Sequence, residues 1–337
     1  MTDKIINENN KDNKDFGHTR LQWIVVMIVS MLMFNYGLET GWLSPMTKIL
    51  TSELSPTGSP LSSSELTWVG SILPFTAVLL VSFYAYITNV FGRKIGVLAV
   101  GIPQLMSWVL RLLATNTTLL ILSRAVAGIA SAGCFIAIPM YVREISQDSI
   151  RGSTVSLLIL MQNVGFLFMY IMGSYLNYYT ILWISLSAAT LSTVLMLFAP
   201  ESPPYLVKKE KLDEAVKTLA KLRGLQADHK IIQLEVSDMK DEEQYYKSLP
   251  YLTFVNIFKN KAWRRGFLRV ILINTSQSGS GTFAIMTYVW VILSSSGVSF
   301  DPNLQSLVVP VLLLFGSVVS MVLVRKFGRK VNIFFCT

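Results

Sequence analysis

Long apolar stretches alternate with short polar ones along nearly the whole chain, at a length that suits helices crossing a lipid bilayer. About 20 apolar residues suffice for one crossing. Eight stretches qualify, near 21–43, 66–88, 95–114, 118–142, 151–173, 179–199, 266–294 and 304–324. Cations gather at every second connection: Arg93 and Lys94, then Arg143 and Arg151, then a basic segment, then Arg325–Lys330. The other connections carry almost none, with Lys48 the clear exception. Cytosolic loops retain Lys and Arg, so this asymmetry predicts a cytosolic N-terminal tail.

The polar segments divide the chain further. Residues 1–20 are polar and mixed in charge and read as a disordered tail, with no cleavable signal. Residues 21–199 form a six-helix bundle, 200–265 a cytosolic helical linker, and 266–337 the start of a second bundle. Within the linker, Leu212, Val216, Leu219 and Leu222 keep helical spacing up to Gly224, a C-cap candidate. Asp228 is a candidate cap for a second helix carrying Ile232, Val236 and Met239, and Phe254, Ile257 and Phe258 suggest a third. The stretch 43–65 is rich in Ser, Thr and Pro and reads as an irregular extracellular loop. Asn116-Thr117-Thr118 matches the glycosylation pattern, in a turn too short to present it well.

Composition narrows the class. The chain is 52% hydrophobic and 15% charged, where soluble domains carry roughly 25% charged residues. Its net charge of +9 does not signal nucleic acid, because the cations flank apolar spans instead of forming one patch. Cys134 and Cys336 lie in or beside apolar runs, so no disulfide framework is implied. The two histidines, His18 and His229, lie in polar segments; no metal or nucleophile–base spacing appears, so no enzyme activity and no cofactor are expected.

The tetrapeptide Phe-Gly-Arg-Lys occurs at Phe91–Lys94 and again at Phe327–Lys330, each time after the second span of its half. Such repetition is the mark of a duplicated membrane bundle. Four more helices belong after the second copy, so the chain is expected to be a shortened form of a twelve-helix protein that lacks one wall of its cavity.

Buried charge gives the sharpest single residue. Glu39 lies within the first span, where an acid costs roughly 2.5–3.5 kcal/mol on insertion scales and marks a functional position. Counted from the span midpoints at ~1.5 Å per residue, Glu39, Arg111 and Arg124 lie ~7–10 Å outward, at matching depth. Arg124 or Arg111 is therefore the expected partner, with outward snorkelling the alternative for Arg111.

Several stretches together resemble the sugar porters of the major facilitator superfamily. These are Ser123-Arg124 with Gly128, Pro139–Ser146, Ile150-Arg151-Gly152, and Pro200–Leu206. Gly37–Pro45 and Trp68–Ser71 resemble the insect trehalose-facilitator branch in particular. The resemblance implies an all-α membrane protein with a six-helix N-terminal bundle plus the first two helices of a C-terminal one. It further implies alternating-access transport of a hexose or trehalose-like disaccharide across the plasma membrane, by facilitated diffusion or with proton coupling. A non-transporting sugar sensor or partner-binding membrane protein is the second reading. Arg93, Glu144, Arg151 and Glu201, with Arg329 and Lys330, are implied as the cytosolic gate; opposed charges at the helix ends would latch and release. Glu39 and Arg124 match the acid and arginine of proton-coupled members, and Gln277 and Tyr288 match a sugar ligand and an outer-gate tyrosine. The pattern departs at Ser278, Phe283 and Ile159, where sugar-binding amides are usual, at Pro204, and at Asn89 and Arg325, where acids are usual.

Overall fold

A computed structural model describes residues 17–248, 258–279, 281–295 and 307–327 of the chain. Six of its helices, or helix pairs, are long and apolar enough to cross a membrane. The first is a pair, α1 (Arg20–Gly41) and α2 (Leu43–Leu50); α3 (Ser63–Val90), α4 (Arg93–Leu112), α5 (Thr117–Ile145), α6 (Asp148–Tyr175) and α7 (Tyr178–Leu197) follow. Helices α3 and α4 pack extensively on α5, and α1 packs on α6.

The expected irregular loop over 43–65 is corrected in its first part. Trp42 keeps helical dihedrals and α2 carries the first span on to Leu50. Pro45 lies in the first turn of α2, where its missing N–H matters least, so it bends the helix without ending it. The loop is confined to the residues before α3, which starts in a capping box: Ser62 accepts from the Glu65 N–H, and Glu65 accepts from the Ser62 N–H. Asn116 caps α5 by accepting from the Leu119 N–H at 2.8 Å, a structural use for the residue that heads the glycosylation pattern.

Two glycines set the closest helix crossing. A Cβ on Gly37 of α1 would lie 2.1 Å from the Gln162 carbonyl oxygen, and one on Gly165 of α6 would lie 2.1 Å from that of Phe34. Main chain therefore meets main chain there, as small residues permit in membranes.

After the sixth span come α8 (Pro203–Lys208), α9 (Leu212–Arg223) and α10 (Lys230–Ser248). They share a small core of Leu206, Val207, Leu219, Ile232 and Val236. Gly224 ends α9 in the left-handed conformation (φ 66°, ψ 33°), as its position after an apolar stripe predicts. The unit is stitched to the bundle: Gln22 of α1 donates to the Leu222 carbonyl at 3.2 Å, and Arg223 donates to that of Ile145 at 3.3 Å. Phe254 and Ile257 of the third expected linker helix lie outside the described residues.

The stretch read as one span over 266–294 is broken. Helix α11 (Lys261–Gly279) stops, Gly281 takes φ 67°, and α12 (Thr282–Ser295) leaves the helical path again at Tyr288 (φ −117°, ψ 18°). Glycine alone enters the first of these conformations without strain. Helix α12 reaches α2, and the last described helix, α13 (Val308–Phe327), packs on α6.

Candidate functional site

Charged and polar side chains collect at both ends of the first bundle. At one end, α4 begins at Arg93 with only a glycine at its cap, so its first N–H groups need an outside acceptor. Glu201 supplies it: its Oε1 accepts from the N–H groups of Arg93 (3.0 Å), Lys94 (3.0 Å) and Ser202 (2.8 Å). A carboxylate at a helix N-terminus also meets the positive end of the dipole. Gly92 makes room with φ 116°; a Cβ there would lie 2.4 Å from Glu201 Oε2.

Arg93 then turns to α5. Its Nε donates to both oxygens of Glu144, at 3.1 and 2.9 Å, its Nη1 donates to the Thr88 carbonyl, and Ser202 Oγ donates to Glu144. Its guanidinium lies over the Tyr205 ring at 5.2 Å. Burial, with the Glu201 carboxylate adding, raises the Tyr205 phenol above its ordinary range, so it stays protonated and donates to the Val90 carbonyl at 2.8 Å. Asn89, where an acid is usual, accepts from Lys208.

Arg151 is placed differently from the expectation that it opposes Glu144 and Glu201. It pairs with Asp148 one turn away at 2.5 Å and donates to the carbonyls of Arg143 and Ser146. A local acid three residues before it on the same helix captures it first. It does line the same cavity of about 950 Å³ as Arg93, Glu144, Arg223 and Glu242, between the bundle and the linker helices. Arg329 and Lys330 lie outside the described residues.

Towards the opposite end Glu39 is 1% exposed. Arg111 Nη2 and Ser107 Oγ donate to its carboxylate. Arg124 lies 3.9 Å from the carboxylate and instead donates to the main chain, to the Glu39 carbonyl at 2.6 Å and the Val69 carbonyl at 3.2 Å. Arg111 is fully buried and does not snorkel; its guanidinium lies against the rings of Trp42 (4.6 Å) and Trp108 (4.3 Å). Ser107 and Trp108 escaped the sequence reading. The signal was present, since Gln104, Ser107, Trp108 and Arg111 fall at i, i+3, i+4 and i+7 on the buried face of α4.

Of the residues expected to meet sugar, Tyr288 is described. Its hydroxyl would lie 2.6 Å from a Cβ on Gly70, beside Leu43, so α12 touches α2 and α3 near their N-terminal ends. The side chains of Gln277, Ser278 and Phe283 lie outside what is described. Ile159 is 54% exposed on α6.

Comparison with known proteins follows the same lines. The model of the family described as sugar (and other) transporter matches residues 22–337. The facilitated trehalose transporter Tret1 of Bombyx mori is 25% identical over 317 residues, covering 93% of this chain and 60% of that protein. Its counterpart in Apis mellifera ligustica is 25% identical over 336 residues, covering 96% and 66%. The chain thus spans under two thirds of the length of these relatives. Among solved structures, a partially occluded inward-open xylose transporter XylE from E. coli superposes with a TM-score of 0.74 at 19% identity, covering 92% of this chain and 74% of that one. The proton:xylose symporter XylE bound to 6-bromo-6-deoxy-D-glucose gives 0.77 at 19%, covering 93% and 71%. At that identity the likeness speaks for the fold, the all-helical architecture of the major facilitator superfamily. With a family model matched along almost the whole chain, the protein belongs to the sugar (and other) transporter family.

Proposed function

We propose that the chain is the sugar-carrying part of an alternating-access transporter in the plasma membrane, with its N-terminus in the cytosol. Its substrate class is a trehalose-like disaccharide or a hexose, taken between the first bundle and the helices that begin at α11. The observation that carries this reading is the meeting of Tyr288 with Gly70. There a kinked helix of the second half rests on the outer rim of the first, at a glycine that leaves no space for a side chain. Rocking of one half on the other would break this contact and open the sugar path outward. Gln277 and Ser278, on the helix just before the break at Gly281, supply amide and hydroxyl groups for sugar hydroxyls that leave water. Glu144, Arg93 and Glu201 form the inner latch, with Arg151 beside it; the family pattern adds Arg329 and Lys330 as candidates for the same gate.

The test is uptake of radiolabelled trehalose and glucose into vesicles. It uses the chain alone and the chain joined to the C-terminal third of the silkworm relative. Saturable uptake by the joined protein, weakened by Gln277→Ala, is the expected result. Sugar binding without uptake in either form would make the protein a sensor, and neither binding nor uptake would overturn the reading.

A further inference from the structure

Glu39 is the one fully buried acid among the described residues, and two buried cations stand near it. They do different things. Arg111 takes the carboxylate itself, with Ser107 on the other oxygen, whereas Arg124 is held on the carbonyls of Glu39 and Val69. The other titratable groups facing the cluster are Tyr36 from α1, Cys134 from α5, Tyr178 from α7 and Tyr288 from α12. None of these is an acid that would offset a second positive charge.

The charge count therefore decides what a proton would do. With Glu39 ionised, the cluster of Arg111, Arg124 and Glu39 carries a net +1. Adding a proton makes it +2 in a site closed to water, with Arg111 stripped of its partner and enclosed by two indoles. A proton on a carboxylate that faced Arg124 alone would cancel a charge and free that arginine. Here Arg111 has already cancelled it, and Arg124 already has other partners.

We propose that Arg111 is a built-in counter-ion that takes the place of a proton on Glu39, so that sugar moves without proton flow and independently of external pH. This rests on the transport reading above. Arg111 is a positioning residue in this scheme: it holds the carboxylate and so leaves Arg124 on the main chain.

Two readouts test it. The first uses the purified chain and needs no transport: infrared detection of the carbonyl band of a protonated carboxylic acid, assigned to Glu39 by its loss in Glu39→Gln. From about pH 7.5 down to about pH 5.5 the wild type shows no such band. Arg111→Met gains one that grows towards acid and vanishes when Glu39→Gln is added. Arg111→Lys, which keeps the charge, stays without it. The second readout is uptake by the joined protein at the same two pH values. Wild-type uptake stays within roughly twofold and ignores a protonophore, while Arg111→Met becomes roughly tenfold pH-dependent. A Glu39 band in the wild type at about pH 5.5, or an Arg111→Met protein that matches wild type in the infrared readout, overturns the proposal. If Arg111→Met is not recovered folded, the wild-type minus Glu39→Gln spectrum decides alone. Loss of uptake in every variant, wild type included, tells against the transport reading and leaves the infrared result to judge Arg111.

Discussion

Replacing Glu201 by glutamine leaves an oxygen where Oε1 now accepts three N–H groups and removes the charge behind it. Charge-assisted hydrogen bonds are about twice as strong as neutral ones, which are worth ~1 kcal/mol net. Each of the three bonds thus stands to lose up to ~1 kcal/mol, and because they share one acceptor the sum is nearer 2–3 kcal/mol, about 30- to 150-fold in an equilibrium constant. The N-terminal end of α4 is what loosens, and Cys134 reports on it. This thiol is fully buried in the same core as Val97, Val100 and Tyr141, on α5 between the latch and the Glu39 cluster. With Cys336 replaced by serine, the rate at which a maleimide reaches Cys134 follows the population of opened bundle, provided reclosing outruns labelling. Glu201→Gln should speed labelling by a factor in that range, and Glu201→Asp, which keeps the charge on a shorter arm, by less. A rate within about threefold of wild type would show that the N-terminus of α4 does not depend on this carboxylate.

Gly92→Ala attacks the same contact from the other side: a methyl group at φ 116° beside Glu201 Oε2 costs ~1–3 kcal/mol, read as a lower melting midpoint in detergent. Gly165→Val drives a side chain into the Phe34 carbonyl and should separate α1 from α6, with a loss of at least ~1–3 kcal/mol and reduced recovery of folded protein from membranes. Gly70→Val removes the seat of the Tyr288 hydroxyl; a cysteine pair placed one on α3 beside Gly70 and one on α12 beside Tyr288 should then cross-link more slowly than in the parent. Unchanged cross-linking would mean that the two helices do not rely on this contact.

Periodicity and charge placement made the six spans of the first bundle legible, because a bilayer punishes polar residues in a span so severely that the pattern is almost one-dimensional. The Gly224 cap was legible for a similarly local reason. What failed was local in appearance and tertiary in fact. Ser44 and Pro45 suggested a loop, yet a proline in a first helical turn breaks no hydrogen bond the helix needs, so α2 continues to Leu50. Arg111 looked free to reach water, but Trp42, at the junction of α1 and α2, and Trp108 enclose it, and no pattern within α4 reveals a ring contributed by another part of the chain. Arg151 failed in the opposite direction: a family role drew attention to distant acids while Asp148 stood three residues away. The ion pair at Glu39 was foreseeable by depth alone. Which arginine would hold the carboxylate was settled by the rotation of α4, which sets Ser107 and Arg111 side by side against it.

The glycine seam between α1 and α6 has a mechanical consequence. Side chains between two helices act as a soft joint, since they can change rotamer and absorb a shift of an ångström or so. At Gly37 and Gly165 there are none, and backbone bears on backbone. Glu39 follows Gly37 by two residues, while α6 is the helix on which α13 leans. A push on α6 is therefore delivered to the turn that carries Glu39 as a rigid displacement, with no slack in which to lose it. Helices α1 and α6 are thus held as one stiff pair at this seam, and the buried carboxylate lies two residues from it.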